Sequence, residues 1–175
     1  MIKAIVLDVD GTITDEKRRL DVAAVSPVRK AEREGIPVCL ATGNVLCFAR
    51  TTAILLGTTG PLTAEDGGIV YDQDTNEKHM LGDTEKADEG IRLLEEEFDN
   101  IEYTSDFHLQ QTYRTLEPTI DVKKATEVMQ KQGLRLKAVD SGFSIHVRDP
   151  DINKGKALEK AAEINITPIV GPEVV

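Results

Sequence analysis

The chain opens MIKAIVLDVDGTITD, an apolar run that ends abruptly in Asp8-Val9-Asp10-Gly11-Thr12. Ala4 to Leu7 reads as a short, fully buried strand, because a continuous apolar run bounded by turn residues is the pattern of a strand covered on both faces. That places Asp8 at the carboxyl end of the strand, where open α/β sheets present their reactive groups. Two carboxylates one residue apart, followed by glycine, pack poorly in a core. Hard oxygen donors of this kind suit Mg²⁺, which takes one or two carboxylates and keeps other positions for water and substrate phosphate. Asp8 and Asp10 are therefore candidate Mg²⁺ ligands, with a nucleophile beside the metal. The plainer alternative is an acidic turn after an edge strand, since Asp and Gly favour turns by themselves. The order strand, Asp-x-Asp, Gly-Thr argues for the site.

Downstream, strands and helices alternate. Asp21 to Glu34 predicts a helix ended by Gly35, with Pro27 either kinking it or lying in the first turn of a helix capped by Ser26. Ile36 to Ala41 predicts a second strand, and Thr42-Gly43-Asn44 turns into a helix over Val45 to Leu56 with Asn44 as N-cap and Gly57 as stop. Leu62 to Ala64 predicts a third strand, and Gly68 to Tyr71 with His79 to Leu81 a hairpin. This spacing implies βαβ units and a parallel sheet. The rhythm then changes to a helix (Thr84 to Phe98), a strand near Gln110 to Leu116, a helix (Val122 to Gln132) and two strands, Leu134 to Val139 and Phe143 to Val147. Asp140-Ser141-Gly142 joins those two as a hairpin. The change marks an inserted α+β domain. Lys154 opens a last helix running to about Glu163.

The Asp8 to Thr12 segment resembles the first motif of the haloacid dehalogenase-like phosphohydrolases. The longer likeness is to the archaeal phosphoglycolate phosphatase type, which carries a similar LATGN segment (Leu40 to Asn44), a GTTGPLTAEDGG-like stretch (Gly57 to Gly68) and an NKG triplet (Asn153 to Gly155). It extends to about Asn165. The resemblance implies an α/β fold, a Rossmannoid parallel-sheet core of residues 1–81 and 152–175, and an α+β cap of residues 82–151. It also implies Mg²⁺-dependent hydrolysis of a small phosphorylated acid, foremost 2-phosphoglycolate to glycolate and phosphate, through an aspartyl phosphate. A sugar-phosphate phosphatase of the same superfamily, a phosphate-binding remnant without turnover and a receiver-like signalling domain are the rival readings.

Each motif then has a role. Asp8 is the candidate nucleophile, and Asp10, two residues along a strand and so on the same side, is the candidate acid/base that would protonate the leaving oxygen and later activate water. Gly11 and Thr12 offer amides or a hydroxyl near the phosphate. Thr42 would donate its hydroxyl to a phosphoryl oxygen, with Gly43 and the following helix amides turned to the same point. Lys154, a cation at the positive end of a helix dipole, is mildly disfavoured there unless an anion lies beside it. In the resembling family the matching lysine neutralises the phosphate and orders the nucleophile. Asp66 reads as turn geometry before Gly67 rather than a metal neighbour. Arg114 and Arg148 are the cap guanidiniums to examine for a substrate carboxylate, with salt bridging the favoured role. His79, His108 and His146 share no metal-ligand spacing, and Cys39 and Cys47 read as small hydrophobes.

Composition narrows the partners. A formal charge of −10 in 175 residues argues against nucleic acid, which needs clustered Lys and Arg. No apolar stretch approaches the ~20 residues that span a membrane, so a cytoplasmic protein is expected; the small phosphorylated metabolite is what the resemblance implies. A homodimer is compatible with the sequence, which fixes no assembly state. Members of the resembling family continue past the lysine helix into a strand ending in a GDxxND-like motif. Here no aspartate follows Asp151, and the reading is a core truncated before that last metal-binding motif. The strand carrying Asp8 would then keep an unpaired apolar edge. Ile166 to Val170 fills it poorly because Pro168 lacks an amide, and nothing in its spacing argues for Glu173 as a replacement carboxylate.

Overall fold

The computed structural model describes residues 2–165. Ile166 to Val170 and Glu173 lie outside the described residues. The described residues form two compact units: residues up to His79 together with Lys154–Asn165, and Met80–Asn153.

The first unit is built on a sheet of β1 (Ile5–Asp8), β2 (Val38–Ala41), β3 (Leu62–Ala64), β4 (Ile69–Tyr71) and β5 (Lys78–Met80), in that spatial order. The helices α1 (Val22–Arg33) and α2 (Leu46–Leu56) make the crossovers between β1, β2 and β3, which run parallel. β4 turns back antiparallel to β3. Leu40, Ala49, Ala53, Leu56, Leu62 and Ile69 form the centre of the core between sheet and helices. β1 departs from expectation: it alternates half-buried and exposed residues, with Val6 44% exposed. The sheet order explains this, since among the described residues β1 is an outer strand flanked only by β2.

α1 begins at Val22 because Asp21 caps it, accepting from the Ala23 amide at 2.9 Å. Ser26 is not the cap, and Pro27 lies inside the helix, where its missing N–H removes one intrahelical bond. Gly35 follows at φ +75°, the left-handed conformation that ends helices. Glu32 then ties α1 to the sheet. Its Oε1 accepts from Val38 N at 2.7 Å and Thr59 N at 2.9 Å, and its Oε2 from Thr59 Oγ1 at 2.8 Å.

The second unit is α+β. Its helix α3 (Thr84–Glu97) is capped by Asp83, and α4 (Val122–Lys131) by Asp121. These pack on each other and on an antiparallel sheet of β6 (Arg114–Leu116), β7 (Lys137–Asp140) and β8 (Ile145–Arg148), ordered β6-β8-β7. Leu94, Leu116, Met129, Ile145 and Val147 are fully buried at its centre. β6 is shorter than the sequence suggests: Gln110 precedes it and meets it through its side chain, whose Oε1 accepts from Thr115 N at 2.9 Å. The β7–β8 turn forms as expected, with Ser141 N donating to Ser144 O at 3.0 Å and Gly142 at φ +84°.

The first unit closes with α5 (Lys154–Asn165), which lies on β3, β4 and the turn at residues 65–67, burying Ala157 and Ala161 against Val70. No helix of the described residues is long and apolar enough to cross a membrane.

The cysteines differ from each other. Cys39 is buried in β2, and burial first, then the negative charge of Glu32, pushes its thiol up to about 11. Cys47 lies on α2, within the expected helix, and is exposed. A thiol reagent should therefore modify one cysteine of the native chain quickly, the other only after unfolding; equal rates would contradict this packing. Because the folded thiol holds its proton to higher pH than the unfolded one, Cys39 contributes stability below about pH 9 that is lost as pH rises toward about 11. Cys39→Ala should flatten that alkaline fall in chemical denaturation.

Candidate active site

Parallel pairing of β1 with β2 sets Asp8 opposite Ala41. The loops that follow the two strands therefore leave the sheet at one edge, side by side. Asp8 is the last residue of β1, and its Oδ1 accepts from Val9 N at 2.8 Å. Lys154, the first residue of α5 and 146 positions away, donates from Nζ to the same Oδ1 at 3.0 Å. The cation that a helix start disfavours is thus matched by a carboxylate. Both recorded hydrogen bonds fall on Oδ1, which leaves Oδ2 facing away from them.

Asp10 does not continue the strand. The chain turns at once, with Ile13 N donating to Val9 O at 3.0 Å, so Asp10 reaches the site through a turn rather than by strand alternation. Its two oxygens are held separately. Oδ1 accepts from Arg18 Nε at 2.9 Å and Oδ2 from Asn44 Nδ2 at 2.7 Å. Asn44 Oδ1 in turn accepts from Arg18 Nη2 at 2.9 Å. The amide orientation follows from its neighbours: a guanidinium offers only donors and a carboxylate only acceptors.

Asn44 is therefore not the N-cap of α2. That position is Val45, with no side-chain cap bond. Thr42 is fully buried, and its Oγ1 accepts from both Asn44 N at 3.0 Å and Asn44 Nδ2 at 2.9 Å. Its hydroxyl proton is the valence those contacts leave. Gly43 lies against the turn after β3: an added Cβ would sit 2.9 Å from Asp66 Oδ1. Glu65 and Asp66 both adopt φ +54°, and their amides donate to Asn44 O at 2.9 Å and Thr42 O at 3.2 Å. Asp66 is thus turn geometry, as read from sequence, and the turn it makes braces the Thr42 to Asn44 loop.

Asp8, Asp10, Thr42, Gly43 and Lys154 all lie in the first unit around these loop ends. Arg18 joins them unforeseen; a basic residue in the loop after the Asp-x-Asp pair has no spacing that marks it. In the second unit, Arg114 is committed to Asp88, with Nε to Oδ1 at 2.6 Å and Nη2 to Oδ2 at 3.0 Å, and its Nη1 donates to Gln110 O at 2.7 Å. Arg148 Nη1 donates to the Ile152 carbonyl. His146 is stacked on Tyr113, ring centroids 5.1 Å apart.

Among the described residues no three His, Cys, Asp or Glu side chains converge as a metal-binding group. The donors that fit a hard cation are those of Asp8 and Asp10, within the one or two carboxylates Mg²⁺ takes from protein.

Gly43→Ala should lower the melting temperature, because the new methyl must displace Asp66 or the loop. Asp66→Ala in the same chain should restore part of the loss, measured by thermal melts. No rescue would mean that the Asp66 contact does not set the loop.

A family model for haloacid dehalogenase-like hydrolases matches residues 5–133. The phosphoglycolate phosphatase of Archaeoglobus fulgidus is 42% identical over 161 residues, 92% of this chain and 69% of that protein. The phosphoglycolate phosphatase of Methanothermobacter thermautotrophicus is 39% identical over 160 residues, 90% of this chain and 69% of that protein. The crystal structure of Thermoplasma acidophilum 0175 superposes with a TM-score of 0.80 at 26% identity, covering 93% of this chain and 71% of that one. With an α/β sheet of this order, an acidic pair at the end of its first strand and these relatives, the chain belongs to the haloacid dehalogenase-like hydrolases.

Proposed function

We propose that this chain is a Mg²⁺-dependent phosphatase acting on a small phosphorylated acid, with 2-phosphoglycolate as the substrate. The observation that carries the chemistry is the meeting of Lys154 Nζ with Asp8 Oδ1 at 3.0 Å beside a held Asp10. A nucleophile, a cation and an acid/base stand together although the sequence separates them. The substrate rests on the names of the two archaeal relatives.

Asp8 Oδ2 attacks phosphorus in line with the ester oxygen, forming an aspartyl phosphate as the P–O ester bond breaks. Asp10 gives its proton to the departing oxygen and takes one from the water that next attacks phosphorus, regenerating Asp8 and releasing phosphate. Lys154, on Oδ1, keeps Asp8 aimed and offsets charge on the phosphoryl oxygens. At the second loop a phosphoryl oxygen replaces Thr42 Oγ1 as acceptor of one Asn44 amide proton, and the Thr42 hydroxyl proton turns to it. The uncapped start of α2 adds backbone amides. Mg²⁺ held at the Asp8 carboxylate, with the Asp10 carboxyl kept for proton transfer, would supply further neutralisation of the phosphoryl group.

The second unit would be the cap. In that unit Arg114 serves Asp88 and Gln110, while Arg148 gives Nη1 to the Ile152 carbonyl and keeps a buried Nε without a partner among the described residues. A small phosphorylated metabolite, no nucleic acid and a cytoplasmic setting complete the proposal.

The test is hydrolysis of 2-phosphoglycolate, a panel of sugar phosphates and an aryl phosphate by the 175-residue chain, with and without Mg²⁺. Asp8→Asn should lower kcat about 10³-fold or more and Lys154→Ala about 10²-fold. Turnover that survives Asp8→Asn rejects the covalent mechanism. A sugar phosphate turned over faster than 2-phosphoglycolate rejects the substrate while keeping the reaction.

A further inference from the structure

Arg18 lies in the loop between β1 and α1, and that loop is folded to a definite shape. Asp15 organises it: Oδ1 accepts from Lys17 N and Arg19 N, each at 2.9 Å, and Oδ2 accepts from Arg19 Nε at 2.8 Å. A bridge between Thr14 and Leu20 closes its base. At the tip, Arg18 adopts φ +59°, a left-handed conformation uncommon for a long side chain. Backbone strain of this kind persists where the surroundings over-determine it, and it gathers at working sites.

The strained residue sends two of its donors to different loops. Nε reaches Asp10 Oδ1 and Nη2 reaches Asn44 Oδ1, each at 2.9 Å, while Asn44 Nδ2 returns to Asp10 Oδ2 at 2.7 Å. Asp10, Arg18 and Asn44 thus form a closed ring of hydrogen bonds. A carboxylate with one donor on each oxygen, from two separate loops, cannot rotate about its Cβ–Cγ bond without breaking one of them.

We propose that Arg18 is a positioning residue for Asp10: with Asn44 it fixes the carboxylate plane from which the leaving-group proton is delivered. This rests on the reading of Asp10 as the acid/base. The fork is essential to it, because an ammonium is a compact point charge and cannot serve Asp10 and Asn44 in the same planar geometry.

The role has a signature that simple loop anchoring lacks. An alkyl phosphate such as 2-phosphoglycolate needs its departing oxygen protonated, whereas 4-nitrophenyl phosphate leaves as a stabilised phenolate and needs little acid help. Arg18→Gly is the informative variant, because glycine accepts the positive φ and keeps the loop while removing the guanidinium. It should lower kcat for the alkyl ester about 10- to 100-fold and for the aryl ester no more than about 3-fold, with KM nearly constant for both. Arg18→Lys should restore little of the alkyl-ester rate. Asp10→Ala should show the same bias more strongly.

An equal loss on the two esters, or a loss confined to KM, overturns the proposal for Arg18. An Asp10→Ala chain without leaving-group bias overturns the acid/base reading itself, and the proposal with it. A folded wild-type chain that turns over neither ester overturns both, and thermal melts of each variant separate these results from misfolding.

Discussion

The site depends on one constraint, the parallel register of β1 on β2. Asp8 pairs with Ala41, so the residues that follow, Asp10 on one strand and Thr42 to Asn44 on the other, emerge at the same edge of the sheet. A side-chain period of two makes register an all-or-none matter: a slip by one residue would turn Asp8 to the opposite face. Ile5 and Leu7, which pack on the core while Val6 between them is exposed, oppose that slip, since it would turn them away from the core. The third loop, after β3, joins through backbone bonds to the second, and α5 rests on that same turn while offering Lys154 to Asp8.

Charge is organised within this frame. A chain with a formal charge of −10 brings two of its cations, Arg18 and Lys154, onto the two aspartates proposed for chemistry. These contacts are partly exposed, so as ion pairs they contribute little to stability. Their worth is directional. Lys154 contacts one oxygen of Asp8, while Arg18 and Asn44 divide the oxygens of Asp10 between them. Under the proposed mechanism the first carboxylate keeps an oxygen for attack on phosphorus, and the second is held for proton transfer.

Most elements were legible because their signals are local. Asp21, Asp83 and Asp121 each sit just before a helix and cap it, and Gly57 and Gly142 mark turns that require positive φ. The meeting of Asp8 with Lys154 was legible only through family resemblance, since nothing local joins positions so far apart. Burial of β1 was misjudged because the apolar run records hydrophobicity, not the strand's place in the sheet. Arg18 and the ring it closes were illegible for a different reason: its left-handed backbone comes from Asp15 folding the loop, and a left-handed arginine has no sequence signature.

Asn44 shows how local rules give way at such a place. Asparagine before an apolar helix is among the best N-caps, and losing a cap costs about 1 kcal/mol. Here the side chain turns from its helix to Asp10, Arg18 and Thr42, and Val45 takes the N-cap position without a side-chain bond. α2 persists because Leu46, Ala49, Ala53 and Leu56 bury one of its faces, so packing supplies the stability that capping does not. The sacrifice has two uses under the proposed chemistry. It leaves amides at the start of α2 for an anion, and it provides the amide that links the two loops. A residue that breaks the local rule while satisfying a ring of polar partners is where a stable scaffold yields to a working site.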